Sequence, residues 1–212
     1  MSRAKKKFHG SVISIQPRIR LTRSFDERYH NYLGYSLRID GDMDGEKGEH
    51  LIGIGKATQA KYGFRAGDLV SGECSPVQDP RLESVDYYKA SKLNILHRNA
   101  DSDGDSGGPP WGGIPPELEE YRERGHKRLA ARTYETKCIT CIWGCRMPVE
   151  IIVDHWKPDI KKYRHETFCY GPKSCKFYKA GPTRKVPGRH GMTFEEEDWV
   201  DEQETSHRGE DE

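Results

Sequence analysis

The chain has 212 residues, 33% hydrophobic and 33% charged, with a net charge of +1. That is poor in apolar material for one large core, so composition points to two small units, each supported by something besides burial. No apolar run approaches the roughly 20 residues that span a bilayer, which sets aside a membrane-spanning helix. The small net charge conceals a split: residues 195–212 hold ten acids and one arginine, which leaves a net +10 on residues 1–194. A basic body with an acidic segment points to a polyanionic partner and a segment able to compete for the same surface, although such acids also serve solubility.

The opening "MSRAKKKFHG" is basic and is followed by no apolar stretch, unlike a secretory signal. The expected location is the cytoplasm, where thiols stay reduced and a disulfide framework is disfavoured. Residues 8–97 read as strands. "GSVISIQPRIRLTRS" alternates apolar and polar residues, with a bend or bulge at Pro17. "NYLGYSLRIDG" is a second alternating run, "LIGIGK" a third strand, "KATQAKYGF" a short helix, "RAGDLVSGECSPV" a fourth strand and "YYKASKLNIL" a fifth. With "FRAGDLVSG" opening the fourth strand, residues 1–97 resemble an OB-fold, a five-stranded barrel with a helix between its third and fourth strands. The resemblance implies an architecture and favours a binding role on the second and third strands. "GIGKATQAKYG" lacks the third glycine of a dinucleotide loop, and its glycines read as a bend closing the barrel. Cys74 reads as a small packed residue of the barrel wall.

Residues 98–132 form a connector. "RNADSDGDSGGPPWGGIPP" is a linker, and "PPELEEYRERGHKRLAARTYE" reads as a helix, acidic at its start and basic at its end, weakened by Gly125. Residues 133–194 form a cysteine module. "MPVEIIVDHW", "KPDIKK" and "YRHETFCYG" make a strand, a turn and a returning strand. Cys138, Cys141 and Cys145 stand before this hairpin, and Cys169 and Cys175 close it. A lone hairpin is barely stable in water, and four thiolates on Zn²⁺ can supply what it lacks. C-x2-C-x3-C, then C-x5-C, resembles a zinc ribbon, although the second pair is wider than usual. The favoured ligands are Cys138, Cys141, Cys169 and Cys175, with Cys145 as a substitute. Five cysteines also suit an iron–sulfur cluster, but the spacing does not match a bacterial ferredoxin run. His155 and His165 beside the thiols raise a Cys–His nucleophile; they read as ordinary hairpin residues, so no catalytic residue is assigned.

The fold expected is thus mainly β: an OB-like barrel, a linker with one helix, a zinc-ribbon-like hairpin, and residues 195–212 as a disordered acidic tail. The function expected is binding of single-stranded nucleic acid or structured RNA. Arg18, Arg20, Arg23 and Arg38 would meet phosphates and Tyr32 would stack a base, while Arg184, Lys185 and Arg189 on "KAGPTRKVPGRHG" would add electrostatic grip. "GPTRKVPG" itself is not a P-loop. Two other classes remain open: an iron–sulfur or thiol redox enzyme, and an adaptor whose acidic tail, with Trp199, docks a protein partner.

Overall fold

The structure, a computed structural model, describes residues 4–99 and 107–210. Linker residues 100–106 lie outside the described residues. The chain is mainly β. Its strands are β1 (Lys6–Arg23), β2 (Arg28–Met43), β3 (Glu46–Ile54), β4 (Leu69–Pro76), β5 (Tyr87–His97), β6 (Lys127–Arg128), β7 (Gly144–Ile152), β8 (Lys161–Cys169), β9 (Arg184–Pro187) and β10 (Thr193–Glu196). Four short helices join them: α1 (Lys56–Tyr62), α2 (Leu118–Arg124), α3 (Ala131–Thr133) and α4 (Asp198–Thr205). Among the described residues, no helix is long and apolar enough to cross a membrane.

Strand β1 organises everything else. Its outer part, Lys6–Ser11, pairs antiparallel with β4, while Phe8–Arg23 pairs antiparallel with β2. The register slips between Val12 and Ser14 and again between Arg18 and Ile19, beside Pro17. Such slips bend and coil a strand that is too long to run straight. Where β1 and β2 cross, Gly10 faces Gly41, and a Cβ on Gly41 would sit 2.2 Å from the His9 carbonyl oxygen. Gly34, at φ +129°, lies so close to β3 that a Cβ would sit 2.1 Å from the Ile54 carbonyl oxygen. These close approaches let β2 turn sharply from β1 toward β3. Pairing then runs β2–β3 antiparallel, β3–β5 parallel through Ile52 and Tyr87, and β5–β4 antiparallel.

Alternation along these strands supplies the core. Ile15, Ile19, Leu21, Leu37, Ile39, Ile52 and Val70 are all buried, as is Cys74 of β4. The "GD" of "FRAGDLVSG" has a specific task. The fully buried Asp68 carboxylate accepts from the Arg65 and Asn99 main-chain N–H groups (both 3.1 Å) and from the Arg98 guanidinium (2.9 Å). It therefore ties the turn before β4 to the end of β5.

The cysteine hairpin is not a separate unit. β7 pairs antiparallel with β8 over its whole length and parallel with β1 at Leu21–Arg23. Cys145, Met147, Val149, Ile151, Phe168 and Tyr170 belong to the same apolar core as Ile19 and Leu37. Two small units were expected; the shared edge of β1 joins most of their buried residues in one core, with a smaller cluster of Leu129, Tyr134, Cys138, Cys141 and Cys169 beside it. The connecting helix is shorter than its sequence pattern, because Gly125 turns out at φ +64° against the Glu204 carbonyl and β6 follows at once.

The acidic segment is also folded rather than disordered. Its docking point is Arg128, whose side chain is fully buried. The Arg128 guanidinium donates to Asp201 Oδ2 (3.0 Å) and to the Glu196 carbonyl (2.6 Å), and it also pairs with Asp198. The Glu196 carboxylate, itself buried, bridges Arg23 (2.9 Å) and Arg28 (2.7 Å), and Glu204 takes the other arm of Arg28 (2.7 Å). A buried charge is tolerated only with such partners, so the basic body and the acidic segment are one folding unit.

Beneath this clasp, His30 and His126 stand ring to ring at 4.9 Å, and His126 packs edge-on to Phe168 at 4.5 Å. Burial first, then the Arg28 and Arg23 charges, hold His30 down at about 4, and burial holds His126 well below the usual imidazole range. Between pH 6.5 and 4 the unfolded chain binds protons that the folded chain refuses, so stability falls as pH falls. Urea unfolding should show about 2 kcal/mol lost to His30 alone between pH 7 and 5, with His126 adding in the same direction. His30→Phe should flatten that slope; an unchanged slope would mean the imidazoles do not titrate with folding.

Candidate metal centre

The cysteine region is built by one tight turn and one strand register. Helix α3 passes into a single wide turn, Tyr134–Cys138. The Cys141 N–H then donates to the Cys138 carbonyl, and the Gly144 N–H to the Cys141 carbonyl, both at 3.0 Å. This folds C-x2-C back on itself immediately before β7. The register then sets Gly144 opposite Cys169, which brings the end of β8 beside the turn. Two further turns carry Cys175 back: its N–H donates to the Pro172 carbonyl (3.2 Å), and its carbonyl accepts from Tyr178 (3.0 Å).

The five cysteines divide four to one. Cys138, Cys141 and Cys169 share a small cluster with Leu129 and Tyr134, walled by Trp111, Trp143 and Tyr178. Cys175 is near enough that its charge acts on all three. Cys145 stands apart in the main core, fully buried, with its sulfur 3.4 Å from the Pro17 carbonyl oxygen. Strand alternation causes this: one residue beyond Gly144, the side chain faces the other side of β7. Cys145 is therefore not placed as a substitute ligand.

Burial disfavours the thiolate at Cys138, Cys141 and Cys169, so a bound cation would have to compensate it. Burial pushes the Cys138 thiol up to about 12, and the thiols of Cys169, Cys141 and Cys175 push the same way. Burial raises Cys169 to about 11 against the opposing Gly171 N–H. Burial raises Cys141 too, while the main-chain N–H groups of Trp143, Trp111 and Gly144 act to favour its thiolate. Main-chain donors aimed at sulfur are what a thiolate requires and a neutral thiol hardly uses. Among the described residues, no three Cys, His, Asp or Glu side chains converge closely enough to ligate one ion as they stand. The four thiols form a neighbourhood, and side-chain rotation would have to complete a tetrahedron.

Sequence reasoning missed the residue that holds this turn. Gln16 of β1 is buried, and its amide donates to the Cys138 carbonyl (2.9 Å) and the Cys141 carbonyl (2.8 Å). Its own carbonyl accepts from the Tyr134 hydroxyl at 2.7 Å. In sequence it is one of three polar residues within "VISIQPRI", with no spacing to mark it.

The residues expected to meet nucleic acid are dispersed. Arg18 and Arg20 share one carboxylate, Glu83 (2.8 and 3.1 Å), so this trio keeps one net positive charge. Arg38 pairs with Glu49 at 2.8 Å. Arg23 and Arg184 are turned inward: Arg23 is held by Glu196, and Arg184 by Glu166 (2.8 Å) and by the face of Phe168. Their charges serve the fold, which removes them from any outward surface. Tyr32 is partly covered, with the Arg122 guanidinium over its ring at 4.8 Å. Lys185 and Arg189 are exposed, Lys185 beside Glu195 (3.1 Å). His155 and His165 do not meet a cysteine; His155 pairs with Asp26 at 3.0 Å and His165 sits 3.1 Å from the Glu83 carbonyl.

Compared with known proteins, the chain matches no family model, no curated protein and no solved structure.

Replacing Gln16 by Leu takes one of two donors from each of the Cys138 and Cys141 carbonyls and leaves the buried Tyr134 phenol unpaired. Urea unfolding of Gln16→Leu should show a loss of about 2–4 kcal/mol, since a buried group left unpaired costs about 1–3 kcal/mol and each lost hydrogen bond about 0.5–1.5 kcal/mol. A loss under about 0.5 kcal/mol would show that the cysteine turn does not lean on β1.

Proposed function

We propose that this protein is a zinc-stabilised nucleic-acid-binding protein in which an OB-like barrel and a four-thiolate hairpin share one strand. The observation that carries the metal reading is the four-to-one division of the cysteines, with N–H donors aimed at Cys141 and Cys169. Cys138, Cys141, Cys169 and Cys175 would hold the ion, which would supply the thiolate pairing that the hairpin's open end otherwise lacks. Zinc is favoured over an iron–sulfur cluster because the cysteine spacing does not match a bacterial ferredoxin run. A reducing, cytoplasmic setting suits six free cysteines.

The OB-like reading rests on the pairing order β1–β2–β3–β5–β4 and back to β1, with α1 between β3 and β4. A polyanion partner is supported by the net +10 of residues 1–194 and by what stays exposed after internal pairing. At the hairpin tips, Trp156 is 80% exposed beside Lys157, and Arg189 and Met192 lie across from it around a cavity of about 370 Å³ with Phe25. Asp26 and Asp154 also line this cavity, so the exposed indole would supply stacking on a base, with Lys157 and Arg189 the nearby cations for its phosphate. Single-stranded nucleic acid or structured RNA is the partner class this surface favours, and the folded acidic segment already spends its charge on Arg128, Arg23 and Arg28.

Fluorescence anisotropy with a labelled 12-nucleotide single strand tests the reading. Affinity should fall steeply with salt, and Trp156→Ala should weaken binding about 10-fold, the equivalent of one stacked base. Cys169→Ser should abolish metal retention and reduce binding, while Cys145→Ala should retain the metal. No binding at low salt, or equal metal retention in the two cysteine variants, would overturn it.

A further inference from the structure

Between the barrel and the cysteine turn lies a polar cleft of about 180 Å³. Its barrel side is Ser36 and Arg38 of β2, with Ser84 from the loop before β5. Its far side is Tyr134 of the cysteine turn, Arg146 of β7 and His165 of β8. Strand register brings them together: Gln16 pairs with Ser36 and Ser14 with Arg38 across β1–β2, while Arg146 pairs with Thr167 and Pro148 with His165 across β7–β8.

Two features of this cleft have no use in the fold. Arg146 is exposed and no carboxylate of the described residues pairs with it, although almost every other arginine of the barrel and hairpin has a partner. Arg38 spends one terminal nitrogen on the exposed Glu49, but its Nε is buried and finds no acceptor. A buried N–H without an acceptor is costly, and an anion oxygen would satisfy it. Ser36 and Ser84 add hydroxyls that can donate to an anion. The one acid lining the cleft is Glu135, exposed at its rim. The volume is well below the ~300–1,000 Å³ of sites for whole small molecules. It suits a single tetrahedral group.

We infer that this cleft binds one phosphate group, held between the Arg38 and Arg146 guanidiniums, and that in the nucleic-acid reading above, on which this assignment of source rests, the group is a backbone phosphodiester. Guanidinium forks match phosphate oxygens in geometry as well as charge. The cleft also depends on the cysteine turn. Tyr134 forms its wall and donates to Gln16, which holds the Cys138 and Cys141 carbonyls. Ordering that turn with a metal would fix the wall against which the phosphate sits.

The test uses the full chain with its metal. Inorganic phosphate is titrated while the Arg Nε–H resonances are followed by NMR, and a labelled 12-nucleotide single strand is titrated by anisotropy against wild type, Arg146→Gln and Arg38→Gln. The expected result is a saturable shift of the Arg38 Nε–H resonance, and for Arg146→Gln a roughly 10-fold weaker oligonucleotide affinity with the salt slope reduced by about one. Arg146→Gln carries the decision because the exposed Arg146 pairs with no carboxylate of the described residues, whereas Arg38→Gln removes the pair with Glu49 and can lose stability. An Arg38 resonance indifferent to phosphate, with oligonucleotide affinity unchanged in Arg146→Gln, overturns the cleft and leaves the nucleic-acid reading standing. A phosphate response without any oligonucleotide binding upholds the cleft, removes the backbone as its source and points to a small phosphorylated ligand.

Discussion

One strand edge governs this molecule. β4 accompanies β1 only as far as Ser11, and β7 joins the same edge only at Leu21. Between those points the main chain and side chains of β1 still need partners. Gln16 reaches the Cys138 and Cys141 carbonyls, and the Pro17 carbonyl meets the Cys145 sulfur. The cysteine hairpin is thus a continuation of the β1 sheet that covers an otherwise open edge. An exposed, unpaired edge of this length invites aggregation, and covering it in cis removes the hazard.

Charge is arranged on the same logic. The contrast between body and C-terminal segment suggests repulsion held in check at a distance, but the acids are built in. Glu196 and Asp201 are buried against Arg23 and Arg128. Removing either side would leave a buried charge uncompensated, which costs more than the pair contributes. Arg146, Lys157 and Arg189 are among the exposed cations outside these pairs, and Arg18, Arg20 and Glu83 together keep one net positive charge.

Much of the fold was legible in the sequence because period-two alternation reports directly on burial. Ile19 and Leu21, and Tyr35, Leu37 and Ile39, face the core as their spacing requires. The short helix after "LIGIGK" and the fifth strand in "YYKASKLNILH" lie where their signals put them. Alternation says nothing about which edges meet, so the parallel contact of β1 with β7 and the shared core were invisible. Composition also misled. An acid-rich stretch with Trp199 looks like a solvated tail unless Arg128, seventy residues upstream, is known to be buried and waiting for it. The cysteine spacing marked the region where Cys138, Cys141 and Cys169 gather in one cluster. It could not show that Cys145 is turned into the core, because that depends on where β7 starts.

The central claim is that the sulfurs of Cys138, Cys141, Cys169 and Cys175 converge on one ion. X-ray absorption at the zinc edge, on full-length protein purified without oxygen and carrying the metal it acquired during expression, tests this most directly. The account predicts one zinc per chain with four sulfur neighbours at about 2.3 Å. A folded protein with no stoichiometric metal, or a zinc bound chiefly through nitrogen and oxygen, would contradict it.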